Sequence, residues 1–176
     1  MVAICTYNAR TLASESSIED LLMQARRIRY DVNGLAETRR RHLFNAVCET
    51  GEELFLGTCD SRGVGGVGVL VNTSFSMNID SCGQLMTQVA RLRLKRFGPI
   101  PTLIIFIVHV PTSNYDKDKI EVLHVDVKKS FREDHTFFKV IIGDFNAKTG
   151  PRTTCEEHYI GTHGLGGNEQ CEQLSL

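Results

Sequence analysis

The sequence has almost no net charge: 20 Lys and Arg against 21 Asp and Glu leave -1. That excludes a strongly basic arm, so any contact with nucleic acid has to come from a local patch. It also lacks a long apolar run; the longest, Leu103 to Val108, is far too short to cross a bilayer. The N-terminal stretch has no apolar core of the signal-peptide kind, so the expectation is a soluble intracellular protein, nuclear or cytoplasmic, not secreted and with no membrane partner. There is no Cys-x-x-Cys. Cys5, Cys48, Cys59, Cys82, Cys155 and Cys171 are widely scattered and read as reduced, structural thiols. Cys155, His158, His163 and Cys171 match no standard zinc-ligand spacing. Internal repeats, low-complexity tracts and interdomain linkers are likewise missing. What is present, 176 residues of which 41% are hydrophobic and 23% charged, suits one domain, 1–176, with a real core.

The chain is organised around the stretch 137–150, Phe-Phe-Lys-Val-Ile-Ile-Gly-Asp-Phe-Asn-Ala-Lys-Thr-Gly. Its apolar, β-branched beginning reads as a buried strand that stops at Gly143. Asp144 and Asn146 follow, two apart, so an extended backbone sends both side chains to one face. A carboxylate orients or deprotonates water and an amide donates to a developing oxyanion, which are parts for attack on a phosphate ester. The same pair is also the ordinary composition of a turn.

Other strands end in polar groups too. A strand over 2–9 closes on Asn8. Ser16 and Glu19 form a capping-box pattern, and Ile18, Leu21, Leu22, Ala25 and Ile28 recur at helical spacing, predicting a helix over 17–29 whose basic end, Arg26, Arg27 and Arg29, complements the helix dipole. A short strand over 31–36 leads to Glu37, Thr38 and the run Arg39, Arg40, Arg41, His42, which reads either as a site or as a solvated loop. A strand is expected over 53–57. The glycines of 63–72 have no helix pattern after them, which excludes a dinucleotide or Walker-type loop and leaves a tight turn into a buried strand over 67–71. A weaker strand is expected over 77–80. In 90–97, Arg91, Arg93 and Lys95 alternate with Leu92 and Leu94, as in a half-buried antiparallel strand with a solvated basic face. The strand over 102–110 carries His109 at its end, a core or rim histidine by default. Ile120, Leu123, His124, Val127 and Phe131 lie on one helical stripe within 117–134. A last short helix is expected over 169–176, capped by Asn168.

Two helices among about seven short strands argue for an α/β (α+β) fold: two mostly antiparallel sheets packed face to face with helices outside, a four-layer α/β/β/α sandwich. In order and spacing, Thr6-Tyr-Asn8, Leu35-Ala-Glu37-Thr38, Gly65-Gly-Val-Gly-Val-Leu70 and above all Gly143-Asp-Phe-Asn-Ala147 resemble the endonuclease/exonuclease/phosphatase superfamily, in its apurinic-site-nuclease-like branch. The wording of 108–115 and 161–165 is similar to the endonuclease domain of RTE-clade non-LTR retrotransposons. The resemblance spans nearly the whole chain.

It implies a Mg²⁺-dependent phosphodiesterase, with Mn²⁺ as a substitute ion and DNA as substrate. Glu37 would be the principal metal ligand, with Asn8 beside it serving metal and phosphate. Asp144 would activate water, Asn146 would hold the phosphate and its transition-state oxygens, and Arg39 would bind substrate. His109 stands where much of the superfamily has a tyrosine on the phosphate, and it can still donate a hydrogen bond there. Family members continue through strands bearing an aspartate that steadies a histidine and a final Ser-Asp-His; the chain ends at Leu176 without them, and His158 and His163 are not substitutes. The resemblance therefore implies one sheet incomplete at its C-terminal side, an open edge that binds another chain or self-associates, and impaired catalysis. Two alternatives stand beside it: a small-molecule or lipid phosphoesterase of the same superfamily, and a non-catalytic remnant that binds nucleic acid through Arg39 to Arg41 and the strand of Arg91 to Arg96.

Overall fold

In a computed structural model of the chain, the apolar runs pair into two sheets. The structure describes residues 2–10, 12, 14–96, 98–110, 125, 127–129, 131, 132 and 138–145. Asn146, the zinc-like residues 155–171 and the helix expected over 169–176 lie outside them. The described residues form β1 (Ile4–Asn8), α1 (Glu15–Ala25), β2 (Val32–Ala36), β3 (Phe44–Val47), β4 (Glu53–Leu56), β5 (Val67–Val71), α2 (Thr73–Ser76), β6 (Ile79–Met86), β7 (Val89–Leu94), β8 (Leu103–His109) and β9 (Phe138–Asp144). One sheet has the order β1-β2-β5-β4-β3, the other β6-β7-β8-β9. Both are mostly antiparallel, as expected. Each also holds one parallel pair, β1 with β2 and β8 with β9.

Parallel neighbours need a crossover, and helices supply it. Between β1 and β2 runs α1, whose Ile18, Leu21 and Ala25 pack with Leu35, Leu54 and Leu70 on the outer face of the first sheet. Between β8 and β9, residues 125, 127–129, 131 and 132 are helical, and Val127 and Phe131 pack on Ile104, Phe106 and Val108 of the second sheet. The inner faces share the main core: Val67, Val69 and Val71 of β5 join Leu92 of β7 and Ile105 and Ile107 of β8. Helix, sheet, sheet and helix thus make the four layers.

Several local expectations need correcting. The helix starts at Ser14 rather than Ser16, because Ser14 finds its own capping-box partner in Ser17: the Ser14 side chain accepts from Ser17 N–H, and Ser17 Oγ accepts from Ser14 N–H. It ends at Ala25, with Arg26 as C-cap, so the arginines are not its last turn; Arg26 instead reaches Glu52 Oε2 at 3.1 Å and Thr50 Oγ1 at 2.7 Å. The short strand β3 went unread, and so did α2, begun by an Asn72 side chain that accepts from Ser74 N–H. The weak strand at 77–80 is the start of the longer β6, whose burial alternates over most of its length. Most telling is β9. It was expected to be buried, yet Phe138 and Ile141 are exposed, because β9 is the edge of its sheet among the described residues.

Two glycines allow close approaches, one between the sheets and one between paired strands. A Cβ on Gly34 of β2 would lie 2.7 Å from Ile142 Cδ1 and 3.3 Å from Ile107 Cγ1, so the bare backbone admits β9 and β8 against β2. At Gly143, φ is 146° and a Cβ would run into the carbonyl of its β8 neighbour Val108, so no side chain fits immediately before Asp144. Among the described residues no helix is long and apolar enough to cross a membrane.

Candidate metal and phosphate site

Both parallel pairs point their carboxyl ends to one place. In register, Asn8 lies opposite Ala36, the residue before Glu37, and His109 lies opposite Asp144. Parallel pairing sets neighbouring strand ends side by side, so each sheet delivers two polar groups together. Strand alternation aims them. Asn8 continues the row that Ile4 sends into the main core, His109 follows Ile105 and Ile107, and Asp144 follows Val140 and Ile142. Glu37 is different. Alternation would carry it with Leu35 toward α1, but its backbone turns left-handed at φ 55°, followed by Arg39 at φ 52°. Neither is glycine, and such conformations persist only where surroundings enforce them. Here Thr38 N–H donates to Gly66 O and Arg39 N–H to Gly65 O, both at 3.1 Å, which pins the turn to the glycine-rich approach to β5.

The result is a compact polar group. One ligand atom each of Glu37, His109 and Asp144 lies within 4.8 Å of the others. Asn8 Nδ2 donates to Glu37 Oε1 and to Asp144 Oδ2, each at 3.4 Å. Glu37 is only 7% exposed and His109 2%. Burial pushes the Glu37 carboxyl up, but the hydrogen bond and charge of Arg10, with smaller help from His109 and Asn8, outweigh it and hold the group below the usual carboxylate range. His109 moves down chiefly because burial disfavours its cation, against the pull of Glu37 and Asp144, so the ring is held neutral. Its Nδ1 is buried without a hydrogen-bond partner among the described residues.

Of the residues singled out from sequence, Asn8, Glu37, His109 and Asp144 come together and Arg39 stands beside them, its Nη2 3.4 Å from Glu37 Oε2. Asn146 lies outside the described residues. The rest of the basic run separates: Arg40 donates to the Leu12 carbonyl at 3.2 Å and covers the Phe44 ring at 4.6 Å, a structural use. Arg93 and Lys95 approach Asp80 at 3.1 and 3.8 Å. One residue of the site was missed. Arg10 sets Nε 2.9 Å from Glu37 Oε2 and Nη2 3.4 Å from Oε1. The available signal was its position two residues beyond Asn8.

No protein-family model matches the sequence, and no curated protein does. Solved structures do share the fold. The chain is similar to a humanized D. rerio TDP2 (14% identity, TM-score 0.55, 84% of this chain and 63% of that one). It is also similar to the endonuclease domain of TRAS1, a telomere-specific non-LTR retrotransposon (16%, 0.52, 85% and 61%). TDP2 from Caenorhabditis elegans is a further neighbour (11%, 0.51, 84% and 48%). The chain spans less than two thirds of the length of each. At these identities the likeness is one of architecture alone: two mixed sheets face to face with helices outside, an α/β sandwich.

Proposed function

We propose that the chain is a metal-dependent phosphodiesterase domain acting on DNA, of non-LTR retrotransposon origin. The observation that carries this is the meeting of Glu37, His109 and Asp144 within 4.8 Å at three strand ends, with Asn8 bonded to both carboxylates. The donor set fits the implied ion. Two carboxylates are hard ligands of the kind Mg²⁺ or Mn²⁺ takes, His109 offers a ring nitrogen beside them, and Glu37 is ionised though buried. Glu37, with Asn8, would hold the ion, which when bound neutralises charge developing on the phosphate.

The chain's own groups supply the remainder. Asp144 accepts a hydrogen bond from the attacking water, turns its lone pair toward phosphorus and takes up its proton, while the ester P–O bond opposite the water breaks and the leaving oxygen takes a proton from solvent. Asn8, tied to both carboxylates, keeps them in register. A neutral His109 donates one N–H to a phosphate oxygen, a role that survives without imidazolium charge. Asn146 is assigned to the transition-state oxygens by the motif alone. Arg39, at the rim, meets the DNA backbone. The retrotransposon origin draws support from the motif wording and from the TRAS1 domain among the fold neighbours.

Nicking of supercoiled plasmid tests the reading. Cleavage should require Mg²⁺ and fall by about 10³-fold or more in Glu37→Gln and in Asp144→Asn. Undiminished nicking by Glu37→Gln would sink it. One observation favours a second reading, the non-catalytic remnant: two arginines already neutralise Glu37. DNA binding with no Glu37-dependent Mg²⁺ heat in calorimetry would select that alternative.

A further inference from the structure

Both oxygens of Glu37 are occupied. Oε2 accepts from Arg10 Nε at 2.9 Å and Arg39 Nη2 at 3.4 Å, and Oε1 from Arg10 Nη2 and Asn8 Nδ2, both at 3.4 Å. A cation that takes this carboxylate has to displace a donor. The two arginines are not equivalent. Arg10 grips both oxygens side-on, whereas Arg39 touches one. The Arg10 side chain is 61% exposed, and among the described residues Glu37 is its only side-chain partner. Its backbone is anchored nearby, because the preceding residue, buried Ala9, donates its N–H to Ala36 O at 2.7 Å. The guanidinium can therefore swing without moving the site.

We propose that Arg10 is an exchangeable counterion of Glu37: it holds the carboxylate until a divalent cation replaces it, and the released guanidinium then grips a phosphate oxygen of the substrate. The inference rests on the metal-dependent reading above. A buried carboxylate without a counter-charge is costly, so the cation-free protein needs Arg10. With one partner mostly in water, the pair is weak and would yield to a doubly charged ion held through Glu37. Glu37 then no longer needs Arg10. The freed fork, two residues past Asn8, faces the phosphate-binding rim with donors spaced for bidentate contact.

Calorimetry of Mg²⁺ on the full chain, Arg10→Gln, Arg10→Lys and Glu37→Gln tests the exchange. Removing the competitor should tighten Mg²⁺ binding about 3- to 10-fold in Arg10→Gln, with Arg10→Lys between. In the parent, the side-chain Nε–Hε resonance of Arg10, identified by its loss in the variant, should shift on adding Mg²⁺. A short DNA duplex with Mg²⁺ should bind Arg10→Gln about tenfold more weakly, with a salt slope smaller by about one. Unchanged or weaker Mg²⁺ binding in Arg10→Gln overturns the exchange, and unchanged duplex binding overturns the phosphate contact. If neither the parent nor Arg10→Gln binds Mg²⁺ through Glu37, the metal-dependent reading itself falls. Binding by the variant alone would mean that the cation does not displace Arg10 in the parent, and overturns the exchange.

Discussion

Asn8 and Asp144, 136 residues apart in the chain, are joined by a hydrogen bond from Nδ2 to Oδ2 at 3.4 Å, and the same amide nitrogen donates to Glu37 Oε1 at 3.4 Å. Asn8 thus bridges the ends of three strands. Asn8→Ala should release both carboxylates and lower the nicking rate by about 10- to 100-fold, the loss expected when reacting groups drift by about an ångström. Because Asn8 is exposed, the denaturant midpoint should scarcely move. A large stability loss with an unchanged rate per folded molecule would make Asn8 structural.

Gly34 is where β2 touches the second sheet. In Gly34→Ala the new methyl would sit 2.7 Å from Ile142 Cδ1. Overpacking of this kind costs about 1–3 kcal/mol. Since the clash is with the far end of a side chain, Ile142→Val should relieve it. A double-mutant cycle by urea unfolding is expected to show coupling of about 1 kcal/mol, with strict additivity as the contrary outcome.

Glu52 anchors a cluster away from the site. It is buried and accepts from Arg26, Thr50 and Tyr30. Burial pushes its carboxyl up, but the bonds from Arg26 and Thr50 and the Arg26 charge outweigh this, and its pKa lies below the ordinary 4.5. The unfolded chain therefore takes up the proton first as pH falls. The stabilisation is fully present above about 4.5 and disappears as pH drops through the lower folded value. Glu52→Gln should flatten the acid limb of a stability-versus-pH curve. An acid limb identical to the parent's would contradict the assignment.

Cys82 should resist alkylation. Its side chain packs on the main core, and burial, reinforced by the Glu53 charge, pushes the thiol up to about 12. At pH 8 the thiolate fraction is on the order of 10⁻⁴. Mass spectrometry after iodoacetamide should find Cys82 unmodified in the native protein and labelled in denaturant. Rapid labelling of the native form would mean that this face opens.

Much of the fold could be read from local pattern. Short apolar runs marked β1, β2, β5 and β8, of which β2, β5 and β8 are buried throughout, and alternation marked β7, whose apolar row faces the core. β3 escaped because Phe44-Asn-Ala-Val47 buries little and Val47 is exposed; it is an edge strand held by pairing with β4. Only the start of β6 was marked, because its apolar residues Ile79, Cys82, Leu85 and Met86 do not alternate; the strand takes its extension from β7. In each case pairing overrode weak propensity.

At the site the division is just as physical. Sequence alone set which polar residue ends each strand, and strand alternation sent Asn8, His109 and Asp144 to the inner face, because side-chain direction in a strand is a local property. Only the tertiary structure decided that β1 pairs in parallel with β2 and β8 with β9, that Gly34 lets the sheets close, and that Glu37 turns left-handed to meet them. It also brought Arg10 onto Glu37, an ion pair across 27 residues that no local spacing encodes. Such pairings are set by which surfaces bury each other, and that choice depends on the whole chain at once.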